Sequence, residues 1–155
     1  KIYAYETDGF GQYNLMDDAN IPSLLSIPYL GYRGDTEIVQ NTRRFILSEA
    51  NPYYYHGKCA RGIGSPHTPV NHIWPLSLIM QGLTAVDEQE LTFVLQMLLE
   101  TDAGTNLMHE SLHVDDPACY TRKWFSWANA LFSELILKIC GYDICSADYI
   151  SKTIS

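Results

Sequence analysis

The stretch Trp124-Phe125-Ser126-Trp127-Ala128-Asn129-Ala130-Leu131-Phe132-Ser133-Glu134-Leu135-Ile136-Leu137-Lys138-Ile139-Cys140 decides how the fold is read. Positions 124, 127, 128, 131, 132, 135, 136 and 139 are apolar and recur at i, i+3 and i+4. That is the rhythm of one face of an α-helix. Gly141 supplies the stop. The spacing predicts a helix from about Thr121 to Cys140, with most of this stripe in a core and a buried thiol at Cys140.

Working outward, the same rhythm recurs upstream. Leu91, Val94, Leu95, Leu98 and Leu99 make a wide stripe on a helix ending near Thr101, and Asp87 with Glu90 resembles a capping box at its start. Trp74-Pro75 opens a helix to about Thr84, with Leu76, Ile79, Met80 and Leu83 on one face. Asp35 is placed to cap a helix from Thr36 to Ser48, whose apolar positions are Ile38, Val39, Phe45 and Ile46, with Thr42 among them. A short helix is expected over Pro22 to Leu30, stopped by Gly31. Tyr3 to Tyr13 reads as extended or looped. Asn51 to Asn71 carries three prolines and three glycines and reads as a long folded loop lining a pocket. No alternating run competes, so the expected class is all-α: about five helices in antiparallel hairpins, with function on the loops at one end. One domain over 1–142 and a tail over 143–155 are expected.

Composition narrows the function classes. The 155 residues suffice for one domain with a core, and 46% apolar against 18% charged content argues against disorder. The net charge of −8, with no run of Lys or Arg, disfavours nucleic acid and anionic membrane as partners. No apolar stretch is long enough to span a bilayer. None of Cys59, Cys119, Cys140 and Cys145 forms a CxxC pair, so a zinc knuckle is not expected. The redox state and the compartment stay open.

Three places carry candidate chemistry. In Gly104-Thr105-Asn106-Leu107-Met108-His109-Glu110-Ser111, the Glu110 carboxylate is surrounded by hydrogen-bonding side chains. It reads either as a placed acid or base or as a solvated loop glutamate. Asp17 and Asp18, beside Asn20 and ahead of Pro22, either accept hydrogen bonds from ligand hydroxyls or cap a helix. His67, in Gly64-Ser65-Pro66-His67-Thr68, is either a sugar ligand or a structural histidine. His67 and His72 lack the spacing of a helical metal pair.

Several blocks are longer and more unusual than these signals require. They include Tyr5-Glu6-Thr7-Asp8-Gly9-Phe10-Gly11, Met16-Asp17-Asp18-Ala19-Asn20-Ile21-Pro22-Ser23-Leu24-Leu25, Pro28-Tyr29-Leu30-Gly31-Tyr32 and Asn51-Pro52-Tyr53-Tyr54. Further along stand Gly62-Ile63-Gly64-Ser65-Pro66-His67-Thr68, Ile73-Trp74-Pro75-Leu76-Ser77, Met108-His109-Glu110-Ser111 and Thr121-Arg122-Lys123-Trp124-Phe125-Ser126-Trp127-Ala128-Asn129. From about Tyr3 to Tyr142 the chain resembles glycoside hydrolase family 125, the metal-independent exo-α-1,6-mannosidases. The resemblance implies part of an (α/α)6 barrel, or six-hairpin toroid, and an inverting mechanism. It implies Glu110 as general base, with Asp17, Asp18 and His67 on the active-site face as substrate-binding residues. It implies no metal, no cofactor and α-mannoside glycans as partners.

One departure qualifies this. A full barrel needs more helices than the about five read here, and the matching blocks are those of the family's C-terminal part. The family's general acid, an aspartate, matches no position in this chain. The remaining, N-terminal part of the barrel is therefore an expected partner. The alternative is a truncated, inactive module that binds mannose or docks with another protein. A helical-toroid glycosidase of other sugar preference is the generic reading.

Overall fold

The computed structural model describes residues 1–142, and the expected tail over 143–155 lies outside them. The described residues are not all-α. They form four helices and seven short strands in three antiparallel sheets. The all-α expectation is overturned, and a six-hairpin toroid is not supported.

The helices are where periodicity placed them, with shifted ends. Helix α1 is Thr36–Ile46, α2 is Pro75–Leu83, α3 is Glu88–Glu100 and α4 is Ser126–Ile139. Asp35 caps α1 by accepting from the Glu37 and Ile38 amides at 2.9 and 3.2 Å. Asp87 caps α3 by accepting from the Glu90 amide at 2.8 Å. Glu90 answers one residue earlier than a capping box requires, accepting from the Val86 amide at 3.1 Å. Its other oxygen takes Arg43 of α1 at 2.9 Å and Gln81 of α2 at 2.8 Å, so one carboxylate ties three helices. Burial pushes the Glu90 carboxyl up, but the Gln81 and Arg43 hydrogen bonds outweigh it and hold it below the usual range.

The helix expected over Pro22 to Leu30 is a series of turns. Pro28 has no N–H to offer the Leu24 carbonyl, so the ladder cannot run. The local bonds go elsewhere: Ser23 and Ser26 bond each other, and Asp17 takes the Leu24 and Leu25 amides.

The strands are β1 Glu6–Thr7, β2 Tyr13–Asn14, β3 Tyr54–His56, β4 Arg61–Ile63, β5 His72–Ile73, β6 Ser111–His113 and β7 Asp116–Thr121. β1 and β2 form an exposed hairpin, in keeping with the extended reading of Tyr3 to Tyr13. β3 and β4 form a second hairpin inside the long loop. Its tip sits on the turn between β6 and β7, where the Cys59 and Ala60 amides both donate to the Val114 carbonyl at 2.9 and 3.0 Å. The third sheet has the order β5-β6-β7, with a register shift after Leu112. Pro117 lies in β7, an edge strand, where its missing N–H leaves no ladder bond unmade.

Helix α2 is the centre of the core. Pro75 through Met80 are all buried, and α2 packs against both α3 and α4. Ile46, Ile63, Ile73, Leu78, Ile79, Val94, Leu112 and Leu135 are essentially inaccessible. Each such Leu or Ile contributes roughly 1.5–3 kcal/mol by leaving water. Gly64 lies where backbone meets backbone: a Cβ there would collide with the His72 carbonyl oxygen.

The stripe on α4 is less buried than its rhythm suggested. Ala128 and Leu135 are buried, but Trp124, Trp127 and Ile139 are 62%, 58% and 39% exposed. The Cys140 thiol is exposed and free, as are those of Cys59 and Cys119.

Candidate functional site

The site grows from the crossing of two segments, Met108 to Ser111 and Thr121 to Asn129. Asn129, on the first turn of α4, brackets Met108. Its Oδ1 accepts from the Met108 amide at 3.1 Å, and its Nδ2 donates to the Met108 carbonyl at 2.8 Å. The Phe125 amide donates to that same carbonyl at 3.2 Å. Beyond it, the Glu110 amide donates to the Thr121 and Arg122 carbonyls at 3.3 and 3.4 Å. Glu110 is thus fixed at the mouth of the β6–β7 hairpin, one residue before β6.

The neighbours that drew attention to Glu110 turn elsewhere. His109 is buried and stacks flat on Tyr120, with ring centroids 3.8 Å apart. Its Nδ1 donates to the Lys123 carbonyl at 2.6 Å, and its Nε2 faces Thr105 Oγ1 and the Asp102 carbonyl. Ser111 Oγ bonds Thr121 Oγ1 at 2.8 Å and His72 Nδ1 at 3.1 Å. Burial, and then the neighbouring His113, hold the His72 imidazole below its ordinary pKa. These groups shape the hairpin; they do not bond the Glu110 carboxylate.

The partner of that carboxylate is Arg122. Its Nε lies 3.3 Å from Glu110 Oε1, with the Glu110 side chain 15% exposed and that of Arg122 67% exposed. The guanidinium also sits 6.0 Å from the ring centroid of Phe125. Phe125 meets Trp74 edge-on at 5.8 Å, and the Trp74 indole N–H donates to Thr68 Oγ1 at 3.0 Å. Thr68 belongs to the loop of His67, which is exposed and whose backbone amide donates to Ser65 Oγ at 3.2 Å.

The segment of the other acids bonds the start of that loop. The Ala19 amide donates to the Gly64 carbonyl at 3.0 Å, which joins the Asp17–Asp18 segment to the loop. Asp17 is fully buried. Its Oδ1 accepts from the Leu24 amide at 2.9 Å and its Oδ2 from the Leu25 amide at 3.0 Å. Asn51 holds its backbone from below, through both the Asp17 amide and carbonyl. Burial drives the Asp17 carboxyl up to about 6, against the pull of the two amides. Asp18 bonds the Asn20 amide and side chain. Burial, and then the charges of Asp18 and Asp17, push the Tyr5 phenol up.

Ala19 thus bonds Gly64, the following loop reaches Trp74 through Thr68, and Trp74 meets Phe125, which lies near the Arg122 guanidinium that pairs with Glu110. Arg122, Asn129, Asn51 and Trp74 escaped the residue-level reading. All four stand inside the blocks that carry the resemblance, the only sequence signal that could have flagged them.

A protein of Schizosaccharomyces pombe, the meiotically up-regulated gene 157 protein, is 53% identical over 141 residues, which cover 90% of this chain and 28% of the relative. A solved structure from Streptococcus pneumoniae is of a metal-independent alpha-mannosidase in a non-productive complex with alpha-1,6-mannobiose. It is 54% identical and superposes with a TM-score of 0.89, over 92% of this chain and 34% of that one. The chain thus spans about a third or less of the length of either protein. Residues 1–137 match the family profile, and the chain belongs to the metal-independent alpha-mannosidases, GH125.

Proposed function

We propose that this chain supplies the general-base side of an inverting exo-α-1,6-mannosidase site, with Glu110 as the base. The observation that carries the reading is the state of the Glu110 carboxylate. It is mostly buried, its backbone is tied at the hairpin mouth, and Arg122 engages Oε1. No hydrogen bond reaches Oε2 among the described residues, which leaves that oxygen to accept a proton.

The chemistry follows from inversion. A water donates one proton to Glu110 Oε2 while its oxygen attacks the anomeric carbon from the face opposite the leaving group. The glycosidic C–O bond breaks, and the leaving oxygen takes a proton from a second carboxyl roughly 6.5–9.5 Å from the base. That acid, an aspartate by the family resemblance, belongs to a part of the family-length protein without counterpart here. Asp18 and His67 contact sugar hydroxyls. Asp17, whose two oxygens are both engaged by backbone amides, supports the Asp18 segment from beneath. Support for the α-1,6-linked mannoside comes from the complex of the Streptococcus pneumoniae relative.

A second reading, an inactive mannose-binding or docking module, has one observation in its favour. Ile21, Leu76, Trp127 and Leu131 line an apolar groove of about 330 Å³ with Ala130 and Glu134. With Trp127 exposed along it, that is apolar surface of the kind that marks an interaction site. In the first reading, the remainder of a family-length protein covers it.

The two are separated by a chimera in which residues 1–142 replace the matching region of the Streptococcus pneumoniae protein. The chimera is expected to cleave α-1,6-mannobiose, while the 155-residue chain alone does not and binds a hydrophobic dye. A well-folded chimera that binds mannobiose without cleaving it would favour the second reading.

A further inference from the structure

We propose that Arg122 is a positioning residue for Glu110, an inference that rests on the reading of Glu110 as the base. Three observations meet at this side chain. Its Nε lies 3.3 Å from Glu110 Oε1. Its backbone adopts φ +39°, a left-handed conformation that is sterically unfavourable for a residue with a Cβ. Its side chain is 67% exposed, so core packing does not account for that conformation.

The strained backbone is built into the site. The Arg122 carbonyl accepts from the Glu110 amide, and the next carbonyl, of Lys123, accepts from buried His109. The turn at Arg122 therefore receives a backbone bond from Glu110 and a side-chain bond from the preceding His109, and at the same point brings the guanidinium to the carboxylate. Phe125 lies against the guanidinium at 6.0 Å and limits where it can swing.

The consequence is a division of labour between the two carboxylate oxygens. Oε1 faces a cation that cannot accept a proton, and the ion pair biases the Glu110 side chain toward the rotamer that meets it. Oε2 is left to hold the attacking water. Without Arg122 the carboxylate samples other rotamers, and the water is held off the line of attack. A displacement of about 1 Å at a reacting group can cost roughly 10²-fold in rate.

The test uses the chimera described above, with Arg122→Met, Arg122→Lys and Glu110→Gln measured side by side on α-1,6-mannobiose. Arg122→Met is expected to lower kcat by roughly 10- to 100-fold and to leave KM within about threefold of the parent. Arg122→Lys, which keeps a donor and a charge on a flexible stem, is expected to recover part of the loss. If Arg122→Met fails to unfold cooperatively, Arg122→Gln, which keeps an amide donor, takes its place with the same expectation. The inference is overturned if kcat stays within twofold of the parent while Glu110→Gln is inactive. It is overturned equally if KM rises with kcat unchanged, which would make Arg122 a substrate ligand. Activity retained in Glu110→Gln would instead refute the base assignment on which the inference stands.

Discussion

Glu110→Gln in the family-length chimera is expected to lose at least 10²- to 10⁴-fold in turnover, the range that general-base catalysis is worth. The amide keeps the volume and one acceptor oxygen but cannot take the water's proton. The pair with Arg122 is weakened, yet the ties that place residue 110 are backbone bonds to Thr121 and Arg122 and survive the change. Binding of α-1,6-mannobiose, measured by calorimetry on the variant, should therefore stay near the parent value. A variant that turned over at near-parental rate would remove Glu110 from the mechanism. One that lost binding as well as turnover would mean that the carboxylate holds the sugar and not the water.

The second large effect concerns Asp17 and is one of stability. Its carboxyl stands at about 6 in the fold against 3.8 for the ordinary group, because burial penalises the charge. Between those two values the folded state binds more protons at this site than the unfolded state. Stability from this group is therefore full below about pH 4 and falls as pH rises toward about pH 6, where the loss levels off. The shift corresponds to roughly 3 kcal/mol.

Other groups oppose this trend. His72 has a lowered pKa, so the fold disfavours its charged form, and its contribution improves as pH rises toward the unfolded histidine value. Glu90, held low, loses its contribution only in more acidic solution. The difference between the parent and Asp17→Asn isolates Asp17 from both. At pH 4.5 the variant should be the less stable, since its amide NH₂ faces one of the Leu24 and Leu25 donors and leaves it unsatisfied, at about 1–3 kcal/mol. By pH 7 the gap should close or reverse. Melting temperatures of the two chimeras across this interval provide the measurement. A constant difference would show that Asp17 ionises like an ordinary carboxylate.

How far the sequence could be read depended on length and on what each signal reports. Helices α1, α2 and α3 were legible because nine to thirteen residues sample the period repeatedly, and Asp35 and Asp87 mark their starts. The strands were not legible. Most run two or three residues, too few for alternation to register, and β4 and β5 lie among glycines and prolines that read as loop. β7 is the longest at six residues, but Asp115-Asp116-Pro117 at its start reads as a turn. The start of α4 was misjudged because apolar Trp124 continues the helical rhythm backwards beyond the helix start at Ser126, and nothing in the spacing signals the left-handed φ of +39° at Arg122.

Burial was misjudged for a related reason. Periodicity identifies the apolar face of a helix but not what covers it, and Trp127 and Ile139 remain exposed. Glu110 was found from its neighbours in sequence, but those neighbours serve the hairpin. Its ion-pair partner, Arg122, arrives across the β6–β7 hairpin, a pairing that local reading of the sequence does not contain.

On the proposed reading, Glu110 activates water for a single displacement at the anomeric carbon. The most direct test is the anomer of mannose released first, followed by proton NMR in deuterated buffer during the opening minutes of α-1,6-mannobiose hydrolysis by the chimera. Attack by water opposite the leaving group predicts β-mannose first, with the α-anomer appearing only as mutarotation proceeds. Release of α-mannose first would mean double displacement through a covalent intermediate, and would contradict the assignment of Glu110 as a base.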